Sequence, residues 1–349
     1  MTIAIKQFTD VALSDPFFDS LKTDYAEFSD WFNRKASEPA YVSRNESDAI
    51  DGFLYVKVES GAVADVSPQL PASRRLKVGT MKIVPHGTRL GERFIKKIFD
   101  HAVADNVEEV YVTVFPKHEA LIGLFRRYGF EKVATKTTAN GTELVLARRL
   151  RSAGSSTLER YPIVKLGDGS AYLLSLYPKW HTRLLPDSIL KNESAAVVQD
   201  VSHSNSIHKV YLAAMRGMEV LRPGDVLLIY RTGDDAGPAH FRAVATSICV
   251  VEEYRSLDDF ESKTAFVDFC LPYSVFTKAE LEDFWRSRKY PHVIRFTYNL
   301  ALPKRITRGK MIEEFGFDSS AYWGFLRISP DQLKAVAAAG ALDEDLVID

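Results

Sequence analysis

The chain has 349 residues, which at roughly 150 residues per domain suggests two domains. Hydrophobic residues make up 46% of it and charged residues 26%, values typical of a globular chain, so intrinsic disorder and collagen-like repeats are excluded. Its 45 Lys and Arg against 46 Asp and Glu give a net charge of −1, so any nucleic-acid surface has to be a local patch.

The chain has two cysteines, Cys249 and Cys270, each within an apolar stretch. Two thiols are too few for a disulfide framework or a four-thiolate zinc site, and they suit a reducing compartment. The histidines show no paired metal-ligand spacing, so no metal site is predicted. The N-terminal MTIAIKQFTD lacks the pattern of a signal peptide, and no apolar run approaches the roughly 20 residues of a membrane helix. We therefore expect a cytoplasmic protein without membrane contact.

Hydrophobic periodicity in the first half alternates between helical and strand patterns. A helix is predicted over residues 16–36, with Asp15 as its N-cap and Pro16 in its first turn. The remaining predicted elements are strands over 40–43, 53–58 and 75–84, a helix over 90–104, a strand over 107–115, a helix over 119–128 and a strand over 143–150. This order indicates a mixed sheet with flanking helices in a domain spanning residues 1–150.

The second half is richer in strand patterns and follows a linker predicted over residues 151–160, where RRLRSAGSSTLER has few large apolar residues. Strands are predicted over 171–177, 225–230, 240–254, 292–298 and 324–328, and short helices over 208–215, 256–263, 278–285 and 329–336. Residues 161–349 are therefore expected to form a β-barrel decorated by helices, and the fold class of the whole chain is α/β, in the broad sense that includes α+β.

The most informative local pattern is a strand, a glycine-containing turn and a helix in LKVGTMKIVPHGTRLGERFIKKIF. Unpaired backbone N–H groups at a helix start lie at the positive end of the helix dipole, so this turn can hold a phosphate or pyrophosphate. Gly87 and Gly91 would let such a ligand approach the backbone closely. The alternative is an ordinary strand-to-helix turn whose glycines relieve only a steric problem.

Residues 10–150 resemble the GCN5-related N-acetyltransferase (GNAT) superfamily in the order of their elements. LKVGTMKIVP with HGTRLGERFIKKIF is similar to the family's strand, loop and helix for acetyl-CoA, and EEVYVTVFPKHEALIGLFRRYGFEKV to its next strand and helix. The resemblance implies acetyl-CoA as cofactor, with the pantetheine along the end of the central strand and the pyrophosphate on the loop amides. The positions implied are Ile83 and Val84 for the strand, and Gly87, Thr88, Arg89, Leu90 and Gly91 for the loop.

This sequence departs from the family pattern at three positions. His86 and Arg89 stand where the family loop usually has Arg or Gln and Gly, and Phe125 stands where it often has a tyrosine that protonates the leaving thiolate. No matching motif places a substitute. The candidate catalytic residues are Tyr128, Tyr111, His118 and His86, with core tyrosines and a solvated turn as the alternative interpretation.

Residues 284–310 form a basic segment with eight Lys and Arg and no acid, interleaved with aromatic residues. Basic side chains neutralise phosphates and aromatic faces stack on unpaired bases, so the segment predicts an RNA contact. The alternative is a solvated strand with core aromatics. The predicted contact residues are Arg286, Arg288, Lys289, Tyr290, Lys304, Arg305, Arg308 and Lys310, together with Trp180 from a second aromatic and basic cluster, YPKWHTR.

PGDVLLIYRTGD followed by AHFRAVATSICVVEEYRSLDDFE resembles the core of PUA-like domains, the group that includes ASCH and EVE modules, over residues 160–335. The ASCH signature itself is not readable in the chain. The resemblance implies binding of RNA or modified bases, and fusions of GNAT and PUA-like domains resemble bacterial toxin–antitoxin or defence proteins, which implies an antitoxin protein as a possible partner.

Two functions remain open from the sequence. The first is an acetyl-CoA-dependent N-acetyltransferase whose second domain delivers the acceptor amine on an RNA, such as a charged tRNA. The second is a catalytically degenerate GNAT fold that serves as a reader of RNA or modified bases, or as an interaction module. The preserved strand, helix and glycines favour the first function, whereas Phe125 and the altered loop favour the second.

Overall fold

The computed structural model describes residues 2–84, 89–151, 154–186, 206–234 and 236–348. The chain divides into two compact units, Met1–Arg160 and Tyr161–Asp349. Each unit combines a mixed sheet with helices, which confirms the predicted mixed α/β class.

The first unit is built on a seven-stranded sheet of order β1-β2-β3-β4-β5-β7-β6, in which only β4 and β5 run parallel. Its elements are β1 (Thr2–Gln7), α1 (Asp19–Asp24), α2 (Phe28–Arg34), β2 (Pro39–Arg44), β3 (Ile50–Val63), β4 (Leu70–Ile83), α3 (Leu90–Ala104), β5 (Glu109–Val114), α4 (Glu119–Arg127), β6 (Glu131–Thr138), β7 (Gly141–Arg149) and α5 (Thr157–Arg160). The strong amphipathic pattern of 90–104 predicted α3 with the bounds that the structure gives it.

The helix predicted over 16–36 is divided in the structure. The Asp15 side chain accepts a hydrogen bond from the Phe17 N–H, as an N-cap does, but the first turn is a 3₁₀ helix and α1 ends at Asp24. Tyr25 then takes an extended conformation, with φ −134° and ψ 104°. The continuous apolar periodicity was misleading because the 3₁₀ turn before α1 and helix α2 share one aromatic cluster. Its aromatic members are Phe8, Phe17, Phe18, Phe28, Phe32, Phe53 and Tyr55.

The second unit contains a six-stranded sheet of order β10-β13-β12-β11-β9-β14, with β9 and β11 parallel. Its elements are β8 (Val164–Lys165), β9 (Ala171–Leu176), α6 (Pro178–Leu184), β10 (His208–Ala213), β11 (Val226–Arg231), α7 (Ala239–Arg242), β12 (Val244–Ser256), α8 (Lys263–Cys270), α9 (Lys278–Ser287), β13 (His292–Thr307), α10 (Arg308–Phe315), β14 (Phe325–Ile328), α11 (Pro330–Ala339) and β15 (Val347–Ile348). Among the described residues, no hydrogen-bonded ladder joins the edge strands β10 and β14.

The prediction of a helix over 208–215 was wrong, because this segment is strand β10. It pairs antiparallel with β13, from His208 opposite Thr297 to Ala213 opposite His292, and all of its residues are buried. A short apolar run that is buried on both faces shows no periodicity that separates strand from helix, so tertiary pairing decided its conformation.

Both cysteines are free and buried, and burial raises the pKa of each thiol. Within the described ranges, no helix is long and apolar enough to cross a membrane, and no three His, Cys, Asp or Glu side chains converge as metal ligands.

Candidate functional site

The two parallel strands of the first unit part from each other halfway along their length. β4 pairs with β5 only from Arg75–Val78 opposite Glu109–Val112, although β4 continues to Ile83 and β5 to Val114. Both strands stay paired on their outer sides, β4 with β3 and β5 with β7. The parting therefore opens a cleft at the carboxyl ends of parallel strands, where open α/β sheets bind their ligands.

A β-bulge at Gly79 accompanies this parting. Tyr55 pairs with Thr80 and Val56 with Val78, which leaves Gly79 as an extra residue in β4. A Cβ atom at this position would lie 2.6 Å from Cδ1 of Tyr55, so only glycine fits without displacing that buried ring. The bulge therefore requires glycine at this position, and it turns β4 away from β5.

A cavity of about 840 Å³, here called the outer cleft, lies between the end of β4, the start of α3 and α4. Its lining includes every described residue of the predicted acetyl-CoA site, namely Ile83, Val84, Arg89, Leu90 and Gly91. The other predicted loop residues, His86, Gly87 and Thr88, lie outside the described residues. The described positions that the resemblance implies thus line one cavity.

The N-terminus of the 15-residue helix α3 faces this cleft with two guanidinium groups beside it. Arg89 Nη1 lies 3.6 Å from Glu92 Oε1, and Arg127 Nη1 lies 3.5 Å from the same oxygen. The first-turn N–H groups of a helix and two guanidinium groups are suitable partners for a phosphate.

Gly91 has a packing role that the sequence did not reveal. A Cβ atom on Gly91 would lie 2.8 Å from Cδ2 of Leu124, so the glycine allows α3 to pack closely on α4. A bulky substitution there would disturb this packing as well as any ligand in the cleft.

A second cavity of about 260 Å³, here called the inner cavity, adjoins the point where β4 and β5 part. Strand residues from Gly79 to Met81 and from Val112 to Val114 line it. The residues that line both the inner cavity and the outer cleft are Leu21, Met81, His118 and Leu121. His118 therefore stands at the junction of the two spaces.

His118 interacts there with a largely buried carboxylate. Its Nε2 lies 3.2 Å from Oδ2 of Asp24, and Lys117 forms an ion pair with the other oxygen of the same carboxylate. The His118 side chain is 43% exposed, which leaves it accessible to a substrate. An imidazole that a carboxylate orients can serve as a general base.

A tyrosine and a carboxylate form a second polar pair in the wall of the inner cavity. The Tyr25 hydroxyl donates a 2.6 Å hydrogen bond to Oε1 of Glu143, which is itself buried. Burial and, after it, this hydrogen bond raise the pKa of Tyr25 well above its usual range, so Tyr25 remains a neutral donor. Roles for Tyr25, Glu143 and Asp24 were not predicted from the sequence, because no motif links residues so far apart in the chain.

Of the three described catalytic candidates, only His118 lines the cleft. Tyr128 is fully buried against Phe99, with ring centroids 6.4 Å apart, and lines neither cavity. Tyr111 is buried and donates a hydrogen bond to Glu59; burial in the first place raises its pKa. His86 lies outside the described residues. Phe125 is also fully buried and packs against Phe130.

The predicted basic contact residues of the second unit fall into two groups at opposite ends of β13. Arg286, Arg288, Lys289 and Tyr290 precede the strand, whereas Lys304, Arg305, Arg308 and Lys310 lie at its far end and in α10. At about 3.3 Å per residue, roughly 40 Å of strand separates the groups. The segment is therefore not one continuous patch.

Several of these cations are paired with acids from outside the basic segment. Arg286 pairs with Asp283, Arg288 Nη1 lies 3.6 Å from Asp258, and Lys310 Nζ lies 3.3 Å from Glu314. Other contacts include a cation–π pair of Arg308 with Trp323, and cation–π pairs of Lys179 and Arg183 with Trp180. Ion pairs lower the local positive potential that the sequence count suggested.

No protein-family model and no curated protein matches this sequence. Among solved structures, the chain is similar to a GNAT superfamily phosphinothricin acetyltransferase from Sinorhizobium meliloti in complex with AcCoA, with 14% identity, 43% of this chain and 89% of that chain covered, and a TM-score of 0.29. It is similar to a mutant of the spermidine N-acetyltransferase SpeG from Vibrio cholerae, with 11% identity and a TM-score of 0.30. That match covers 43% of this chain and 95% of the other. It is also similar to a mutant of ZmASCH from Zymomonas mobilis, with 8% identity and a TM-score of 0.31. That match covers 49% of this chain and 97% of the other. Likenesses at this level establish neither a family nor an activity for the chain.

Proposed function

We propose that the first unit is an acetyl-CoA-dependent N-acetyltransferase. The observation that carries the proposal is the parting of β4 and β5 beside an outer cleft that all five described residues of the predicted cofactor site line. This arrangement agrees with the resemblance to the GNAT superfamily that the local sequence patterns carry.

The residues of the outer cleft would hold the cofactor at its charged end. The first turn of α3, with Arg89 and Arg127, supplies N–H groups and positive charge for the pyrophosphate. Ile83 and Val84, at the end of β4, supply a strand edge for the pantetheine. Bound there, acetyl-CoA supplies a thioester whose acetyl group passes to an amine as the C–S bond breaks, a C–N bond forms and the thiol leaves.

His118 is the best-placed group to take the proton that the attacking amine loses. It lies at the junction of the outer cleft and the inner cavity, and Asp24 orients its ring. Asp24 also stabilises the imidazolium that forms when the proton arrives. His118 is therefore assigned as general base and Asp24 as a positioning residue.

The inner cavity restricts what can reach the thioester. Its volume of about 260 Å³, against about 840 Å³ for the outer cleft, favours a small amine-bearing group as the acceptor. An aminoacyl group on a tRNA has this size. The finer proposal is that the second unit, a PUA-like domain, binds the RNA that carries the amine, and that the chain acts as a toxin with an antitoxin protein as its partner.

Calorimetric titration of the full chain with acetyl-CoA tests the proposed activity without knowledge of the acceptor. The wild type should bind, and Arg127→Glu should weaken binding at least tenfold because it places a negative charge beside the α3 N-terminus. Arg126→Glu is the matched control, since Arg126 lies in the same helical turn, is exposed and does not line the cleft.

Absence of acetyl-CoA binding by the wild type would overturn the enzyme proposal and leave the nucleic-acid reader. The observation that favours this second function is Phe125, a fully buried ring at the position where the GNAT resemblance implies a tyrosine. A nucleic-acid reader would bind RNA with the same affinity in the presence and in the absence of acetyl-CoA.

A further inference from the structure

The second unit exposes tyrosine rings around the C-terminal end of β9. Tyr177 is 66% exposed and Tyr322 is 62% exposed, although most aromatic side chains of this unit are buried. The Ser175 N–H donates a 3.0 Å hydrogen bond to the Gly324 carbonyl, and the Tyr322 ring lies directly against Gly324. Tyr177 follows Ser175 by two residues and immediately precedes α6, so both exposed rings belong to the same strand end.

A row of packed aromatic rings extends from this strand end toward β13. Trp180, in the first turn of α6, packs on Phe276 with centroids 4.9 Å apart. Phe276 contacts Phe284 at 5.0 Å, and Phe284 contacts Tyr290 at 4.9 Å. The half-buried Trp180 and Tyr290 are therefore held rigidly by their neighbours. We call Tyr177, Tyr322, Trp180 and Tyr290 the aromatic platform.

Two lysines lie against rings of the platform. Lys179 Nζ lies 4.5 Å from the Trp180 ring centroid, and Lys289 Nζ lies 5.3 Å from that of Tyr290. Neither lysine has a carboxylate within 4.0 Å in the described part of the chain, in contrast to Arg286, Arg288 and Lys310. The platform thus combines aromatic faces with two cations that have no acidic partner in the described part of the chain.

We propose that the aromatic platform binds single-stranded RNA, with bases stacked on Tyr177 and Tyr322 and phosphates at Lys179 and Lys289. Every base has an aromatic face, and a flexible single strand can place bases and phosphates alternately against such a surface. An apolar protein partner would leave both lysines desolvated and unpaired, so the charges favour a polyanion. This inference deepens the proposed function by locating its RNA contact, and it excludes Lys304–Lys310 from that contact.

Fluorescence anisotropy of the full chain with a labelled 12-nucleotide single strand tests the platform. Tyr177→Ala and Tyr322→Ala should each weaken binding roughly tenfold through lost stacking. Tyr177→Phe should restore it, because the ring face remains. A Lys179→Ala, Lys289→Ala double variant should flatten the slope of log affinity against log salt by about 1.4, or about 0.7 for each phosphate contact.

Matched controls come from the same unit. Phe241→Ala removes an aromatic ring that is 69% exposed but outside the platform, and Lys304→Ala removes a cation at the far end of β13; both should leave the affinity unchanged. Thermal unfolding of each variant verifies that the fold persists. The same strand as DNA and as a duplex completes the series, and binding should be weakest for the duplex, whose bases are not free to stack on the rings.

The platform is refuted if wild type does not bind the single strand, if it binds the duplex equally well or DNA better, or if the tyrosine variants bind like wild type. A larger effect of Lys304→Ala than of the tyrosine variants refutes it as well. Titration of the same variants with acetyl-CoA separates the two proposals. The platform variants should bind acetyl-CoA as the wild type does. If the wild type does not bind acetyl-CoA, the oligonucleotide affinities still test the platform.

Discussion

At the scale of single residues, Arg89 shows how a departure from the family pattern is tolerated. It begins α3 with φ 54° and ψ 27°, the left-handed conformation that glycine adopts without strain. The resemblance to the GNAT superfamily implies glycine at this position. The backbone thus retains the conformation suited to glycine, while the side chain adds a guanidinium at the mouth of the outer cleft.

Arg89→Gly is expected to stabilise the fold by about 0.5–1 kcal/mol, because it removes the left-handed strain of a side-chain-bearing residue. Arg89→Ala is the matched control, since it loses the same side chain and keeps the strain. The free energy of urea unfolding measures both variants. A glycine variant that is less stable than the alanine variant would show that the conformation of Arg89 carries no strain.

His118→Ala is expected to lower the rate of acetyl transfer about 100-fold, the low end of what general base catalysis contributes, without changing acetyl-CoA affinity. Asp24→Asn should lower it less, because the imidazole remains but its partner is neutral. Release of the CoA thiol, followed with the acceptor that wild type uses best, measures the rate. Lys117→Ala, which removes the other partner of Asp24, serves as control. If Lys117→Ala lowered the transfer rate as much as His118→Ala, the role of these side chains would be structural.

His181 predicts a pH dependence of stability in the second unit. Burial lowers its pKa to about 3, so between pH 6.5 and 3 the unfolded chain binds a proton that the folded chain does not. Stability is therefore expected to fall as pH falls through this window, by up to about 1.4 kcal/mol per pH unit from this residue. Urea unfolding at pH 7 and pH 5 measures it. His181→Asn should flatten the dependence, and an unchanged slope in that variant would assign the dependence to other groups.

At the scale of elements, the course of β4 determines where the site lies. Fourteen residues of strand pair with β3 throughout, yet the pairing with β5 stops after Val78. The bulge at Gly79 twists the strand at this point, and Tyr55 occupies the space that a side chain would need.

Gly79→Ala is expected to destabilise the protein by about 1–3 kcal/mol, because its Cβ would overlap the buried Tyr55 ring. Gly123→Ala is the matched glycine control. A Cβ atom at Gly123 meets nothing within 4 Å, and alanine favours the helix α4, so that variant should gain up to about 1 kcal/mol. Thermal unfolding compares the two. Equal effects would mean that Tyr55 moves aside freely.

At the scale of the whole molecule, each unit contains its own hydrophobic core. The first unit has the aromatic cluster around Phe18 and a second cluster around Val145, and the second unit has a large cluster around its six-stranded sheet. A core of its own allows a unit to fold independently.

A fragment of residues 1–160 is therefore expected to unfold cooperatively and to bind acetyl-CoA within about threefold of the full chain, because its cofactor residues and its core are complete. Transfer to an RNA-borne acceptor should be lost, since the proposed RNA contact lies in residues 161–349. Calorimetry and the transfer assay measure both properties. If the fragment acetylated the RNA acceptor as fast as the full chain, delivery by the second unit would be refuted.

Sequence by itself determined the mixed α/β class and helix α3 with its bounds, because an amphipathic helix is encoded within a few consecutive residues. It also predicted, through the resemblance that a strand–turn–helix carries, five of the residues that line the outer cleft. Tertiary structure alone decided that 208–213 is a strand, that α1 ends before Tyr25, and that the basic segment is divided by β13. It also brought together Asp24 and His118, which are 94 residues apart, and Tyr25 and Glu143, which are 118 apart. Such pairs depend on how strands and helices pack, and packing leaves no periodic signal in the sequence.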